Sequence, residues 1–141
     1  MTTDQDRRPS NAWLPERKRR GWRRLLASFR YSGAGFWHAV RHEAAVREVF
    51  AASVVLTIIS LWLPVSRIEH LLLVVSLLWV LMMEFVNSSL EMTLDRVSLE
   101  RHPLAGRAKD LGSAAVAVAA LIAGLCWLVI LGPVVAAWLR H

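Results

Sequence analysis

The sequence predicts an all-α integral membrane protein with three transmembrane helices and an N-terminal amphipathic helix in the membrane interface. Hydrophobic residues make up 55% of the 141 residues, and the mean hydropathy is +0.40. Three long apolar runs account for this composition, and the basic residues cluster outside them. The net charge of +6 alone would suit nucleic acid or an anionic membrane surface. The apolar runs favour the membrane and a single domain.

The segment before the first apolar run is polar and basic. Residues 1–20 are predicted to be a disordered basic tail, and the membrane domain is predicted to occupy 21–141. Within 21–40, Trp, Leu and Phe recur at helical spacings between three arginines. The arginines would meet anionic headgroups, and the tryptophans would anchor the helix in the interface. A basic arm that binds nucleic acid is the alternative for this segment.

The three apolar runs each approach the ~20 residues that a helix needs to cross a bilayer. The predicted spans cover about 44–63, 70–90 and 109–131. Pro64 ends the first span, and a polar loop at 96–107 precedes the third. The third span opens with an Ala-rich stretch that permits close helix packing, and its helix can continue to Trp138.

The basic residues predict the orientation. Eleven of the 17 Lys and Arg residues precede position 48, and four lie within 96–109. The 64–69 turn contains only Arg67, and the C-terminus contains only Arg140. By the positive-inside rule, the N-terminus and the 96–109 segment are cytoplasmic.

A polar stripe follows the second apolar run. Glu84, Asn87, Glu91 and Asp95 fall within an arc of roughly 80° at helical spacing. Ionisable groups at membrane depth are costly and mark functional sites, although a solvated helix end is the alternative. Because of the predicted orientation, the stripe ends in cytoplasmic water.

Other charged side chains are predicted at the same membrane level. Glu43 opens the first span, and Lys109 and Asp110 open the third. Carboxylates with a Lys and an Arg suit Mg²⁺ and phosphate, but the chain has no Gly-x-x-x-x-Gly-Lys-Ser/Thr loop. The residues alone therefore predict a cytoplasmic-face, metal-capable acidic site. We expect the five histidines to be interfacial or solvent-facing rather than metal ligands, and Cys126 to be inert.

Three motifs carry a resemblance to a known family. They are Glu84-x-x-Asn87-Ser88-x-x-Glu91-x-x-x-Asp95-Arg96, Gly106-Arg-Ala-Lys-Asp-x-Gly-Ser-Ala-Ala115 and Glu43-Ala-Ala-x-Arg47. Over about 31–131 the chain resembles the bacterial, prokaryotic-type diacylglycerol kinases. This resemblance implies a homotrimer of three-span subunits in the bacterial inner membrane, with a cytoplasmic active site. It also implies transfer of the γ-phosphoryl group of MgATP to the primary hydroxyl of diacylglycerol, which gives phosphatidic acid.

The resemblance also implies roles for individual residues. Glu84 resembles the catalytic base, supported by Asn87, and Glu43 and Glu91 resemble the Mg²⁺ ligands. The positions that resemble ATP-binding ones are Arg24, Tyr31, Glu43, Glu91, Asp95, Glu100, Arg101, His102, Lys109 and Asp110. The positions that resemble lipid-binding ones are Arg47, Glu84 and Ser113.

Some alternatives stay open at this point. An undecaprenol kinase would use the same scaffold, and a non-catalytic small membrane protein would need the acids without a base, a metal pair and a lysine. Lys109 and Arg107 could be positive-inside anchors. Glu43 could cap the N-terminus of the first span, where the helix dipole favours a carboxylate. The chain also departs from the family pattern, since His42 stands where an Asn is common and Val49 replaces an acid.

Overall fold

A computed structural model describes residues 22–97 and 102–140, without the side chains of Arg23, Arg24 and Val97. The described residues form four helices and no strand, which confirms the all-α prediction. The helices are α1 (Trp22–His42), α2 (Ala44–Leu61), α3 (Arg67–Val97) and α4 (Pro103–Trp138). The predicted disordered tail, 1–20, lies outside the described residues.

The chain divides into two compact units, one ending at Phe36 and one beginning at Trp37. In the first unit, α1 presents exposed apolar side chains, including Trp22, Leu25 and Phe29, among its basic residues. The helix predicted for 21–40 is thus present and amphipathic. Its location in the membrane interface stays a prediction.

Among the described residues, three helices are long and apolar enough to cross a membrane: Ala44–Leu61, Arg67–Arg96 and Pro103–Trp138. This confirms the predicted number of spans. Helix α3, the second of these three, begins before the predicted 70–90 span because Ser66 and Glu69 form a capping box. The Glu69 carboxylate accepts from the Ser66 N–H at 2.7 Å, and the Ser66 hydroxyl accepts from the Glu69 N–H at 3.3 Å.

The predicted polar loop at 96–107 is wrong at both ends, because its first two residues belong to α3 and its last five to α4. The His102 ring nitrogen Nδ1 accepts a hydrogen bond from the Leu104 N–H at 3.2 Å and so caps α4. Pro103 follows at the first helical position, where its missing N–H has no cost. At the other end, α4 continues through Pro133 to Trp138. A proline is tolerated within membrane helices when neighbouring groups satisfy the freed carbonyl.

The helix α3 packs against both α2 and α4. On α4, Ala119 of the Ala-rich stretch is buried, as is Ala123 one turn beyond it, and small residues at these positions allow close packing. A hydrophobic cluster contains buried Ala39 of α1, Val46 of α2 and Leu81 of α3, and the partly buried Phe85 packs against these residues. This cluster holds the break between α1 and α2 beside the part of α3 that carries Glu84.

Candidate active site along the polar stripe

The polar stripe of α3 passes from buried to exposed along the helix. Glu84 is 5% exposed and Asn87 is 8% exposed, whereas Glu91 is half-buried and Asp95 is exposed. Burial of a carboxylate and an amide is costly unless they have partners or a function. The stripe is therefore not a solvated helix end at its inner residues, and Glu84 is its deepest acid.

Asn87 links the stripe internally. Its side-chain nitrogen Nδ2 donates a hydrogen bond to Glu91 Oε1 at 3.0 Å, across one helical turn. Its oxygen Oδ1 is buried and has no hydrogen-bond partner among the described residues. Such an orphaned acceptor costs about 1–3 kcal/mol. A hydroxyl group that donated a hydrogen bond to this oxygen would remove that cost, so its binding here would be favoured.

Gly112 of α4 allows Asn87 to take this position. A Cβ atom at Gly112 would overlap the Asn87 Oδ1 atom and would lie 3.3 Å from Leu90 Cδ2. The two helices thus approach closely where Gly112 has no side chain. Sequence reasoning missed this role, although the Ala-rich, Gly-containing opening of the third span was a signal for close approach.

Asp95 and Lys109 join the ends of α3 and α4. Lys109 Nζ lies 2.5 Å from Asp95 Oδ1 in an ion pair whose side chains are 38% and 68% exposed. Exposed ion pairs of this kind contribute about 0–1 kcal/mol. Two residues predicted to bind ATP therefore meet in the fold, and the lysine can leave its partner for a phosphate at little cost.

Glu43 occupies the break between α1 and α2. It is the N-cap residue of α2, with φ −99° and ψ 116°, but its side chain makes no capping hydrogen bond. The alternative that Glu43 caps the N-terminus of the first span is thus confirmed in position, since a carboxylate there can interact with the helix dipole without a hydrogen bond. The side chain is half-buried, and no hydrogen bond or ion pair joins it to Glu91 within the described residues.

The metal prediction needs two carboxylates and an open site. Across 22–97 and 102–140, no three or more His, Cys, Asp or Glu side chains are close enough to hold a metal ion. Mg²⁺ in kinases is bound by only one or two carboxylates together with substrate phosphates. The donor types of Glu43 and Glu91 fit that chemistry.

Four other predicted site residues are exposed. Arg47 and Ser113, predicted to contact lipid, and Asp110, predicted to bind ATP, make no side-chain hydrogen bond or ion pair to the described part of the chain. His102, predicted to lie near the adenine, is the cap of α4. Their binding roles stay predictions.

The remaining predicted ATP-binding residues fall outside the second unit or outside the described atoms. Tyr31 belongs to the first unit, is exposed, and lies with its ring centre 5.8 Å from the Arg30 guanidinium carbon. Glu100, Arg101 and the side chain of Arg24 lie outside the described part of the structure.

The fold and the site define a class: small three-span membrane proteins with a buried glutamate, a paired amide and carboxylate, and a lysine at one end of the bundle. Comparison with known proteins agrees. Residues 30–131 match the model of the family described as prokaryotic diacylglycerol kinase.

Curated relatives extend this match over most of the chain. A diacylglycerol kinase from Pseudomonas aeruginosa is 45% identical over 117 residues, which cover 83% of this chain and 95% of the relative. A diacylglycerol kinase from Escherichia coli K12 is 39% identical over 111 residues, covering 79% and 91%. One from Haemophilus influenzae is 39% identical over 110 residues, covering 78% and 93%. This chain belongs to the prokaryotic diacylglycerol kinase family. The sequence-based prediction of a membrane-embedded kinase is confirmed, and the alternative of a non-catalytic membrane protein is set aside.

Proposed function

We propose that the chain transfers the γ-phosphoryl group of ATP to the primary hydroxyl of diacylglycerol, which gives phosphatidic acid and ADP. The observation that carries the proposal is the gradient of burial along α3, from buried Glu84 through the Asn87–Glu91 hydrogen bond to exposed Asp95. A lipid hydroxyl approaches from the membrane, and ATP approaches from water. One helix thus offers an acid to each substrate.

Glu84 is the proposed general base. Its carboxylate would accept the proton of the lipid hydroxyl while that oxygen attacks the γ-phosphorus and ADP leaves. The side chain is buried within the fold, and the buried Ser88 side chain lies one turn away on the same helix face. A base held in a fixed position and shielded from water suits this step, because phosphoryl transfer depends mainly on positioning and charge stabilisation.

Glu91 and Glu43 are the proposed ligands of a Mg²⁺ ion. When bound, the ion supplies positive charge for the phosphate oxygens of ATP. Asn87 would hold the Glu91 carboxylate in one orientation through its 3.0 Å hydrogen bond. Lys109, released from Asp95, would neutralise the charge that develops on the transferred phosphoryl group.

The proposed assembly is the homotrimer that the family resemblance implies. Several predicted binding residues, among them Arg47, Asp110 and Ser113, are exposed in the described part of the single chain. A neighbouring subunit that completes the site would cover these side chains. The proposed location is the bacterial inner membrane with the site on the cytoplasmic side, supported by the basic residues before position 48 and within 96–109.

The substrate is tested by phosphate transfer from radiolabelled ATP in mixed micelles that contain either diacylglycerol or undecaprenol. We expect labelled phosphatidic acid, and much slower transfer to undecaprenol. The names of the relatives support this preference. Preferential labelling of undecaprenol would replace the proposed substrate. Equal labelling by a Glu84→Gln variant would show that the transfer does not come from this site.

A further inference from the structure

Two histidines lie side by side at the end of α1. His38 and His42 are four residues apart, both are exposed, and their ring centres are 4.5 Å apart with an interplanar angle of 37°. Both belong to the unit that begins at Trp37. Within the described part of the chain, no hydrogen bond or ion pair engages either imidazole ring. Both rings are thus available to a ligand.

The expectation that the histidines are not metal ligands overlooks the spacing of this pair. The sequence His38-Ala-Val-Arg-His42 places both side chains on one helix face, because residues at i and i+4 are neighbours. Helical His pairs at this spacing bind zinc in metalloproteases. Both side chains are exposed, as an interfacial or solvent-facing position requires, but their pairing was missed.

The ring geometry suits chelation. Metal to imidazole-nitrogen distances of about 2.0–2.1 Å place two nitrogens on one tetrahedral ion about 3.4 Å apart. Ring centres at 4.5 Å are close enough for one nitrogen of each ring to reach that separation through rotation of the side chains. No change in the helix backbone is needed, because both ligands lie on one face of the helix, one turn apart.

We propose that His38 and His42 chelate one divalent transition-metal ion. Imidazole ligands select Ni²⁺, Cu²⁺ and Zn²⁺, with Cu²⁺ bound most tightly, whereas Mg²⁺ prefers oxygen ligands. The site is thus chemically separate from the carboxylates Glu43 and Glu91. No third His, Cys, Asp or Glu side chain joins the pair among the described residues, so water completes the coordination.

The bound ion would cross-link two side chains in the last turns of α1 and so stabilise this end of the helix. A ligand that binds only the helical form stabilises that form by mass action. This cross-link includes His42, the last residue of α1, which directly precedes Glu43 at the break between α1 and α2. The metal therefore orders the segment that leads into the proposed active site, and this effect does not depend on which lipid is phosphorylated.

The test uses the full chain in phosphatidylcholine nanodiscs, without an oligohistidine tag, in excess Mg²⁺ to occupy the carboxylates. Calorimetric titration with Ni²⁺ and electron paramagnetic resonance with Cu²⁺ measure binding and ligand type. The variants are His38→Ala and His42→Ala. The matched control is His102→Asn, which removes an exposed single histidine and keeps a capping residue.

We expect one ion per chain, nitrogen coupling in the Cu²⁺ spectrum, and affinity at least about tenfold lower in either alanine variant, since changes outside the ligand shell alone cost 10–100-fold. The control should bind as the parent does. Both side chains are exposed, so we expect the alanine variants to fold like the parent. Circular dichroism and size-exclusion profiles that match those of the parent will verify this. Parental affinity in both alanine variants, a Cu²⁺ spectrum with oxygen ligands only, or no binding at about 0.1 mM Ni²⁺ would overturn the proposal.

Discussion

Gly112→Ala tests whether the close approach of α3 and α4 positions the active-site amide. The added Cβ atom would overlap Asn87 Oδ1 and lie 3.4 Å from Asn87 Cγ. Asn87 must then rotate, or the helices must separate. Rotation would break the 3.0 Å hydrogen bond from Asn87 to Glu91.

The Gly112→Ala substitution is expected to change the folding stability only slightly but to lower the reaction rate clearly. Overpacking costs about 1–3 kcal/mol, whereas replacing a helical Gly by Ala gains about 1 kcal/mol. The net loss of stability is therefore about 0–2 kcal/mol. A hydrogen bond to a charged group is worth about 1.5–3 kcal/mol. Its loss in the transition state would slow phosphoryl transfer by about 10–100-fold, at 1.36 kcal/mol per factor of ten.

The assay is the rate of lipid phosphorylation at saturating ATP and lipid, with thermal unfolding of the same micelle preparation. Gly124→Ala is the matched control, because it lies on the same helix and its Cβ would meet nothing within 4 Å. We expect the control to keep parental activity. A folded Gly112→Ala variant with the parental rate would refute the positioning role of Gly112, and equal losses in both variants would indicate a general effect on α4.

Four further outcomes are expected. Glu84→Gln should lower kcat by about 10²–10⁴-fold with nearly unchanged ATP binding; near-parental turnover would exclude it as the base. Glu91→Gln should shift the Mg²⁺ dependence of the rate to higher concentration, and superimposable titrations would argue against a metal ligand. Mixed Glu84→Gln and Glu91→Gln subunits should recover activity if these two acids act in one site from different subunits, whereas no recovery after demonstrated exchange would place both acids of a site in one chain. A reporter fused after His141 should be periplasmic; a cytoplasmic signal from intact protein would contradict three spans.

The sequence by itself determined the number of spans, because apolar length and composition suffice to specify a membrane helix. It also determined the polar stripe, since helical periodicity fixes which residues share a face. The sequence-based predictions of where α3 and α4 begin were wrong, although the local signals for both helix starts were present in the sequence. Ser66 with Glu69 forms a capping box, and His102 with Pro103 starts α4 earlier than the polar composition suggested.

Only the tertiary structure decided which polar residues are buried and which meet. Glu84 and Asp95 share one helix face, yet the first is 5% exposed and the second is exposed, because neighbouring helices cover only the inner turns. The ion pair of Asp95 with Lys109 and the contact of Asn87 with Gly112 join residues on different helices. Helical periodicity describes each helix separately. How two helices face each other depends on the packing of side chains between them, and that packing sets the geometry of the site.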